Sequence, residues 1–455
     1  MHDTMLEKET NMQLYNSYSQ QLETFTSIKP KQVSMYVCGP TVYNHAHIGN
    51  ARPLVVFDTL RRVFEQLGYQ VKYVSNYTDV DDRIINQAIQ ENKSELEISS
   101  YYIEQYEHIR YQLNCKPLTN VVKVTETMEE IIDFIDELIK KGKAYQVDKD
   151  VYFKIDEIKH YGQLSNQNVD DLIVGSRVSE NEKKLNPLDF TLWKKTDKGI
   201  SWESNFGKGR PGWHTECVVM IQEQFQHERI DIHGGGMDLK FPHHENEIAQ
   251  CEALYHHNIA NWWVHNGMLN IDGEKMSKSL GNVVWAKDFI EKLGGDVVRW
   301  LLLSAHYRAP INISQATITQ AQQEVSKVKR ALMSGQIYLA RQSFDGVVDD
   351  DQELLDSFMD AMGDDLNTQN AFKVIFDAIK QLNQDLRQNK DKLDVIARDI
   401  QTVKTMLNVL GIDYIDVELS SEDIELFNQW EQAKANKDFD LADTYRLKLI
   451  KKDLL

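Results

Sequence analysis

One succession near the start of the chain constrains the fold more than any other feature. Val33-Ser-Met-Tyr-Val-Cys38 is a short β-rich run, and Gly39-Pro40-Thr41 breaks it. Apolar residues from Ile48 through Leu67 then recur at helical spacing (Leu54, Phe57, Leu60, Val63, Phe64), with Asp58 on the polar side. Gly68 ends that helix, Val71–Val74 forms a second strand, and another helical stretch begins over Asp79–Ile89. Strand, helix, strand at this spacing is a βαβ unit, so the sheet is parallel and its ligands belong at the carboxyl ends of its strands.

The pattern returns later. Arg229-Ile-Asp-Ile-His233 reads as a strand ended by Gly234-Gly235-Gly236, Pro242 opens a helix, and Asn261–Met268 is another strand. Residues 116–205 read differently, with a helix over Thr127–Lys141, short strands over Ala144–Ile155 and a polar segment over Asn166–Asn186. They form an insertion that splits the sheet. After Pro310 there is no proline, and Leu332, Phe358, Phe372, Ile375, Leu382 and Leu407 keep a helical period. The expected architecture is α/β: a Rossmann-like parallel-sheet domain split by an insertion, then an all-α C-terminal bundle. Its segments are an N-terminal extension (1–11), the two halves of the sheet domain (12–115 and 206–270) around the insertion (116–205), a lysine loop with its following region (271–320), a helical bundle (321–411) and a small helical tail (412–455).

A length of 455 residues fits about two to four domains. No apolar run approaches the ~20 residues that cross a bilayer, and Met1–Gln13 lacks the apolar stretch of a secretory signal. Four cysteines, none in a CxxC pair, argue for a reducing compartment. The net charge of −19 neither supports nor excludes nucleic acid, because lysines and arginines gathered on one face suffice.

The chemistry lies in two short motifs. His45-Ala-His47-Ile-Gly49-Asn50 opens the first helix, where free backbone N–H groups and the helix dipole favour a polyphosphate. Lys275-Met-Ser-Lys278-Ser279 sits in a loop between Gly273 and Gly281. Ammonium groups on a closing loop suit charge that builds on an attacked α-phosphate. His233-Gly-Gly-Gly-Met-Asp238 lies at a strand end and suits a nucleotide or a tight turn equally. His243 and Glu247 are i, i+4 on one helix face. With Cys38 and Cys217 they would form a tetrahedral zinc site. By spacing alone His244 or Glu245 serves as well, and such cysteines are equally at home as small buried apolar residues.

Together the two motifs resemble the signatures of class I aminoacyl-tRNA synthetases. Met35–Tyr43, Thr78–Asp82, Gly209–Cys217, Asp231–Gly236, Phe241–Glu247 and Lys275–Ser279, in this order, resemble the cysteinyl-tRNA synthetase family from about Gln13 to about Ile450. The resemblance implies a cytoplasmic monomer that activates L-cysteine with ATP and passes it to the 3′ end of tRNA(Cys). One Zn2+ would be held by Cys38, Cys217, His243 and Glu247 to recognise the substrate thiolate, and Mg2+ would accompany ATP. Lys275, Lys278, His47 and His45 would be catalytic. ATP would meet Gly39, Thr41, His47, Gly49, Asn50, Gly234, Gly236 and Lys278, and cysteine would meet Thr78, Trp213 and Asp238. The chain departs from the family pattern at Asn50, where histidine is usual, and at its end, Lys451–Leu455, which puts anticodon contacts in doubt. The rival expectations are a tRNA-independent cysteine ligase on the same scaffold and a non-catalytic RNA-binding paralogue.

Overall fold

In the computed structural model, residues 12–167, 184–226, 228–276 and 282–455 are described. The 1–11 extension, Lys278 with its neighbouring serines, and residues 168–183 of the expected polar segment lie outside them. The chain divides into two compact units, one holding residues 11–295 and 305–314 and the other 296–304 and 315–455.

The larger unit is built on a five-stranded sheet. Its order from edge to edge is Ala260–Asn266, Ile230–Gly236, Gln32–Val37, Gln70–Tyr77, Asn120–Lys123. Every neighbouring pair is parallel. Chain order reverses between Gln32–Val37 and Ile230–Gly236, so this is the point where an open α/β sheet leaves a crevice. The helix Ile48–Gln66 returns the chain between two of these strands. Val55, Val56, Phe57, Leu60, Val63 and Phe64 are all buried, each removal from water stabilising by about 1.5–3 kcal/mol.

Three details differ from the sequence reading. Asn120–Lys123, within the 116–205 segment, is the edge strand of the parallel sheet. Two valines between Asn120 and Lys123 are too few to reveal that partner. Gly234–Gly236 continue the strand in register with Val264–Asn266 and do not end it. The helix expected from Pro242 begins at Glu245, after an irregular turn over Lys240–His244.

The rest of the insertion is a helix, Met128–Lys140, and three strands of an antiparallel sheet, Ala144–Val147, Asp150–Phe153 and Thr191–Lys195, whose fourth strand, Gly209–Pro211, lies past the expected boundary at 205. A hairpin, Gln13–Asn16 with Gln21–Thr24, precedes the first sheet strand. A second small sheet joins Leu269–Ile271 to Glu274–Lys275 and Ile311–Ile313.

The smaller unit is helical. Gln315–Arg341, Gln352–Gly363, Thr368–Gln388 and Leu393–Leu410 are followed by Ser421–Ala435 and Phe439–Lys451. Trp300 stacks on Phe372 at 3.9 Å between centroids. The buried Arg299 donates to the Leu410 carbonyl, which places positive charge at a helix C-terminus.

Candidate active site and metal centre

Cys38 follows the strand Gln32–Val37, and its N–H donates to the Gly234 carbonyl across the switch point (3.1 Å). The next N–H, of Gly39, donates to Asn76 Oδ1 at 2.9 Å. A side chain at Gly39 would run into the Asn76 backbone, so glycine alone lets the chain leave the sheet here. Cys217 lies in the second turn of the helix Trp213–Gln224, which begins earlier than Cys217 itself. Its Sγ is 3.5 Å from Cys38 Sγ.

The irregular turn before Glu245–Tyr255 brings His243 under these sulfurs. His243 Nε2 is 2.9 Å from Glu247 Oε1, the i, i+4 pair. The other oxygen, Oε2, is 2.7 Å from His233 Nε2. Donor atoms of Cys38, Cys217, His243 and Glu247 all lie within 4.8 Å of one another, and so do those of an overlapping set, Cys38, His233, His244 and Glu247. His244 Nε2 approaches Cys38 Sγ at 3.4 Å, while its Nδ1 meets His265 Nε2 at 2.8 Å and His265 Nδ1 meets Ser17 Oγ at 2.9 Å.

The cluster is nearly dry, and its charges are set by its own members. The Cys38 thiol donating to it, against the effect of burial and with His243 alongside, brings Cys217 down to about 6. Burial works against charge on His243, yet Glu247 and Cys217 push it up to about 10. Burial disfavours charge on Glu247 too, but His233 and His243 hold its carboxyl well below the usual range. Burial keeps His244 well below its ordinary value, and His265 and His214 fall to about 3. Within the cluster these partner groups favour the charged forms of Cys217, Glu247 and His243, and any cation entering it would compete with protons for the same donor atoms. Two buried polar atoms here, His233 Nδ1 and the Tyr36 hydroxyl, have no hydrogen-bond partner. Two soft sulfurs, an imidazole and a carboxylate within tetrahedral reach fit a divalent cation such as zinc.

Above the cluster opens a cleft of ≈ 540 Å³. Trp213, its indole stacked on His243 at 4.4 Å and 37% exposed, stands between the cluster and the opening. The cleft is also lined by Gly39, Thr41, His45, His47, Gly49, Asn50, Gly236, Asp238 and Lys275. His47 is the N-cap of Ile48–Gln66, and its N–H donates to Asn50 Oδ1 at 3.1 Å, one half of a capping box. The asparagine carbonyl thus helps start the helix whose N-terminus faces the cleft. His45 packs edge-on against Tyr101, Tyr102 and Trp285. Ile48 N–H donates to the Val284 carbonyl and Ala286 N–H to the Ala46 carbonyl, which ties the histidine motif to the segment just after the lysine loop. Lys275 is exposed in the short strand Glu274–Lys275.

Two expected ligand contacts sit elsewhere. Gly234 faces the Phe57 ring, so its missing side chain makes room for the helix against the sheet. Thr78 is buried beneath the cleft, donating to Glu216 Oε2 at 3.2 Å. Conversely, His233, His265 and Asn76 belong to the cluster without having been read as such, and His244, the alternative ligand by spacing, lies in it too. Only the histidine density of the 233–244 stretch hinted at them; their meeting depends on strand register and a distant hairpin serine.

Residues 24–323 match the tRNA synthetases class I (C) catalytic domain, and residues 357–414 match the DALR domain. A cysteine–tRNA ligase of Anoxybacillus flavithermus is 45% identical over 453 residues, covering 98% of this chain and 97% of the relative. One of Staphylococcus carnosus is 45% identical over 445 residues, covering 95% of each. Among solved structures, Mycobacterium tuberculosis methionyl-tRNA synthetase in complex with methionyl-adenylate aligns with a TM-score of 0.59 at 16% identity, covering 83% of this chain and 89% of that one. At that identity the likeness concerns the fold alone.

Proposed function

The chain belongs to the cysteine–tRNA ligases of class I, and from that premise we propose how its residues select cysteine and carry the two reaction steps. Cys38, Cys217, His243 and Glu247 hold one Zn2+. A zinc ion held there would supply a soft Lewis acid suited to a thiolate sulfur, for which serine's hydroxyl, staying protonated, would be a poor competitor. Size alone would separate the two amino acids weakly, and a site that demands a particular group separates them strongly. Of the two overlapping donor sets, the one containing Cys217 is favoured because that sulfur is already a thiolate near neutral pH.

Trp213 covers His243 and walls the amino-acid side of the cleft. In the first step a carboxylate oxygen of cysteine bonds to the α-phosphorus of ATP, the bond to the bridging oxygen breaks, and pyrophosphate leaves. The helix N-terminus at His47 and the side chains of His45, His47, Lys275 and Lys278 stabilise the charge that builds on phosphate oxygens. Asp238, Gly39, Thr41, Gly49, Asn50 and Gly236 shape the surrounding nucleotide cradle. In the second step a ribose hydroxyl at the 3′ end of tRNA(Cys) attacks the mixed anhydride, the ester forms, and AMP leaves.

The observation that carries this reading is the convergence of four metal-ligand donors beside a cleft lined by the histidine motif and by Lys275. The test is cysteine-dependent pyrophosphate exchange with and without tRNA, followed by a charging assay, on protein of measured metal content. One zinc per chain, exchange without tRNA, and charging of tRNA(Cys) are expected. Exchange with serine as readily as with cysteine, or cysteine selectivity in metal-free protein, would overturn the zinc assignment.

A further inference from the structure

Arg52 lies in the second turn of the helix Ile48–Gln66 and is completely buried. Its Nη1 donates to the Gly267 carbonyl at 2.7 Å and to the Met268 carbonyl at 2.8 Å. Its Nη2 donates to the His306 carbonyl at 3.2 Å, and its Nε has no partner. Among the described residues no carboxylate offsets its charge; burial alone lowers it, from 12.5 to about 10, so it remains a cation at neutral pH.

A buried cation is normally paired with an anion. This one is held by carbonyls of two separate chain segments, and both lead into the small sheet that carries Lys275. Gly267 and Met268 line the cleft and run directly into Leu269–Ile271. Asn270 of that strand lies opposite Lys275 in register. The segment after His306 leads to Ile311–Ile313, the parallel partner of Leu269–Ile271. The crossing of the two segments is tight. Gly267 N–H donates to the Tyr307 carbonyl at 2.7 Å, Ile311 N–H donates to the Met268 carbonyl at 3.0 Å, and a side chain at Gly267 would run into the Arg308 and Ala309 carbonyls. A planar guanidinium fork reaches both segments from one fixed point on the helix, whereas an ammonium is a single point charge. The histidine helix and the lysine strand are thus joined through one side chain.

We infer that Arg52 is a positioning residue for adenylate formation, its guanidinium fixing the small sheet that bears Lys275 against the helix that bears His47. The role rests on the reading of Lys275 given above, in which that ammonium stabilises charge on the attacked phosphate. Arg52 acts through Lys275 and not on the substrate. The second step, attack on the carbonyl carbon of the anhydride, leaves the phosphorus four-coordinate and depends less on where that ammonium sits. A displacement of about 1 Å in a group that stabilises the reacting centre costs about 100-fold in rate.

The full-length chain tests this with Arg52→Lys, Arg52→Met and Lys275→Ala, and with each Arg52 substitution combined with Lys275→Ala. The readouts are the single-turnover rate of adenylate formation and the rate of transfer from isolated enzyme-bound adenylate to tRNA(Cys). Lys275→Ala must first slow adenylate formation; an unchanged rate would overturn the reading of Lys275 and the inference with it. Given that loss, Arg52→Met is expected to slow adenylate formation by about 100-fold and Arg52→Lys by about tenfold, with transfer changed by less than about threefold. In the Lys275→Ala background the same Arg52 substitutions should cost no more than about twofold further, because the two residues act as one unit. Full multiplication of the two effects would overturn the inference while leaving Lys275 catalytic. Equal loss in both steps would also overturn it, by assigning the guanidinium to stability alone. Should Arg52→Met fail to fold, Arg52→Lys, which keeps the charge, decides by the same comparisons.

Discussion

Replacing Cys217 by serine exchanges one sulfur for oxygen at the centre of the cluster and changes almost no volume. In wild type the sulfur is 3.5 Å from Cys38 Sγ and is a thiolate near neutral pH, because Cys38 donates to it and His243 lies beside it. A serine hydroxyl stays protonated under the same influences. The Cys217→Ser cluster therefore approaches a cation with one negative charge fewer and one hard, neutral donor in place of a soft anion. Removing one charged partner from a buried set costs about 3–5 kcal/mol. At about 1.4 kcal/mol per tenfold, metal affinity should fall by roughly two to four decades. Because volume is nearly conserved, the metal-free variant should remain folded. The assays are metal content after dialysis, zinc affinity by chelator competition, and cysteine-dependent pyrophosphate exchange. Loss of metal and of exchange together is expected. A folded variant that keeps one tightly held zinc and normal exchange would refute the assignment of Cys217, and would point to the overlapping set of Cys38, His233, His244 and Glu247.

Three further outcomes follow from other parts of the molecule. Asn50→Ala removes the acceptor for His47 N–H and should cost about 1 kcal/mol of stability, read by thermal unfolding, with a larger fall in adenylate formation than in zinc content. Gly234→Ala drives a methyl group into the Phe57 ring and should destabilise the larger unit by about 1–3 kcal/mol in denaturant unfolding; an unchanged midpoint would show that Phe57 yields freely. In the helical unit, burial, the hydrogen bond with Asp385 and the charges of Asp385 and Asp351 raise Asp399 from 3.8 to about 7. The folded state then keeps a proton that the unfolded chain has lost, so this contribution to stability is full below about pH 4 and fades as pH rises to 7. Asp399→Asn should flatten that part of the pH profile, and a profile parallel to wild type would refute the assignment.

Local patterns in the chain reported local structure well. The helical period from Ile48 matches the helix Ile48–Gln66 almost to the residue. The i, i+4 relation of His243 and Glu247 survives even though the turn before Glu245 is irregular, because that relation depends only on neighbouring residues. The glycines 234–236 misled, since three glycines look the same whether they bend a chain or admit a helix against a strand. Here Phe57, far away in sequence, explains the first of them.

By itself, then, the amino-acid order determined what short-range sterics and periodicity control: a parallel α/β unit, a helix N-terminus carrying histidines, and a helical C-terminal third. Only tertiary structure decided that Cys38 and Cys217 meet at 3.5 Å, and that Glu247 divides its oxygens between His243 and His233. Those relations join a strand end, two helices and a neighbouring strand. Strand register and helix packing set the distances among such elements, and neither is written in the spacing of residues along the chain.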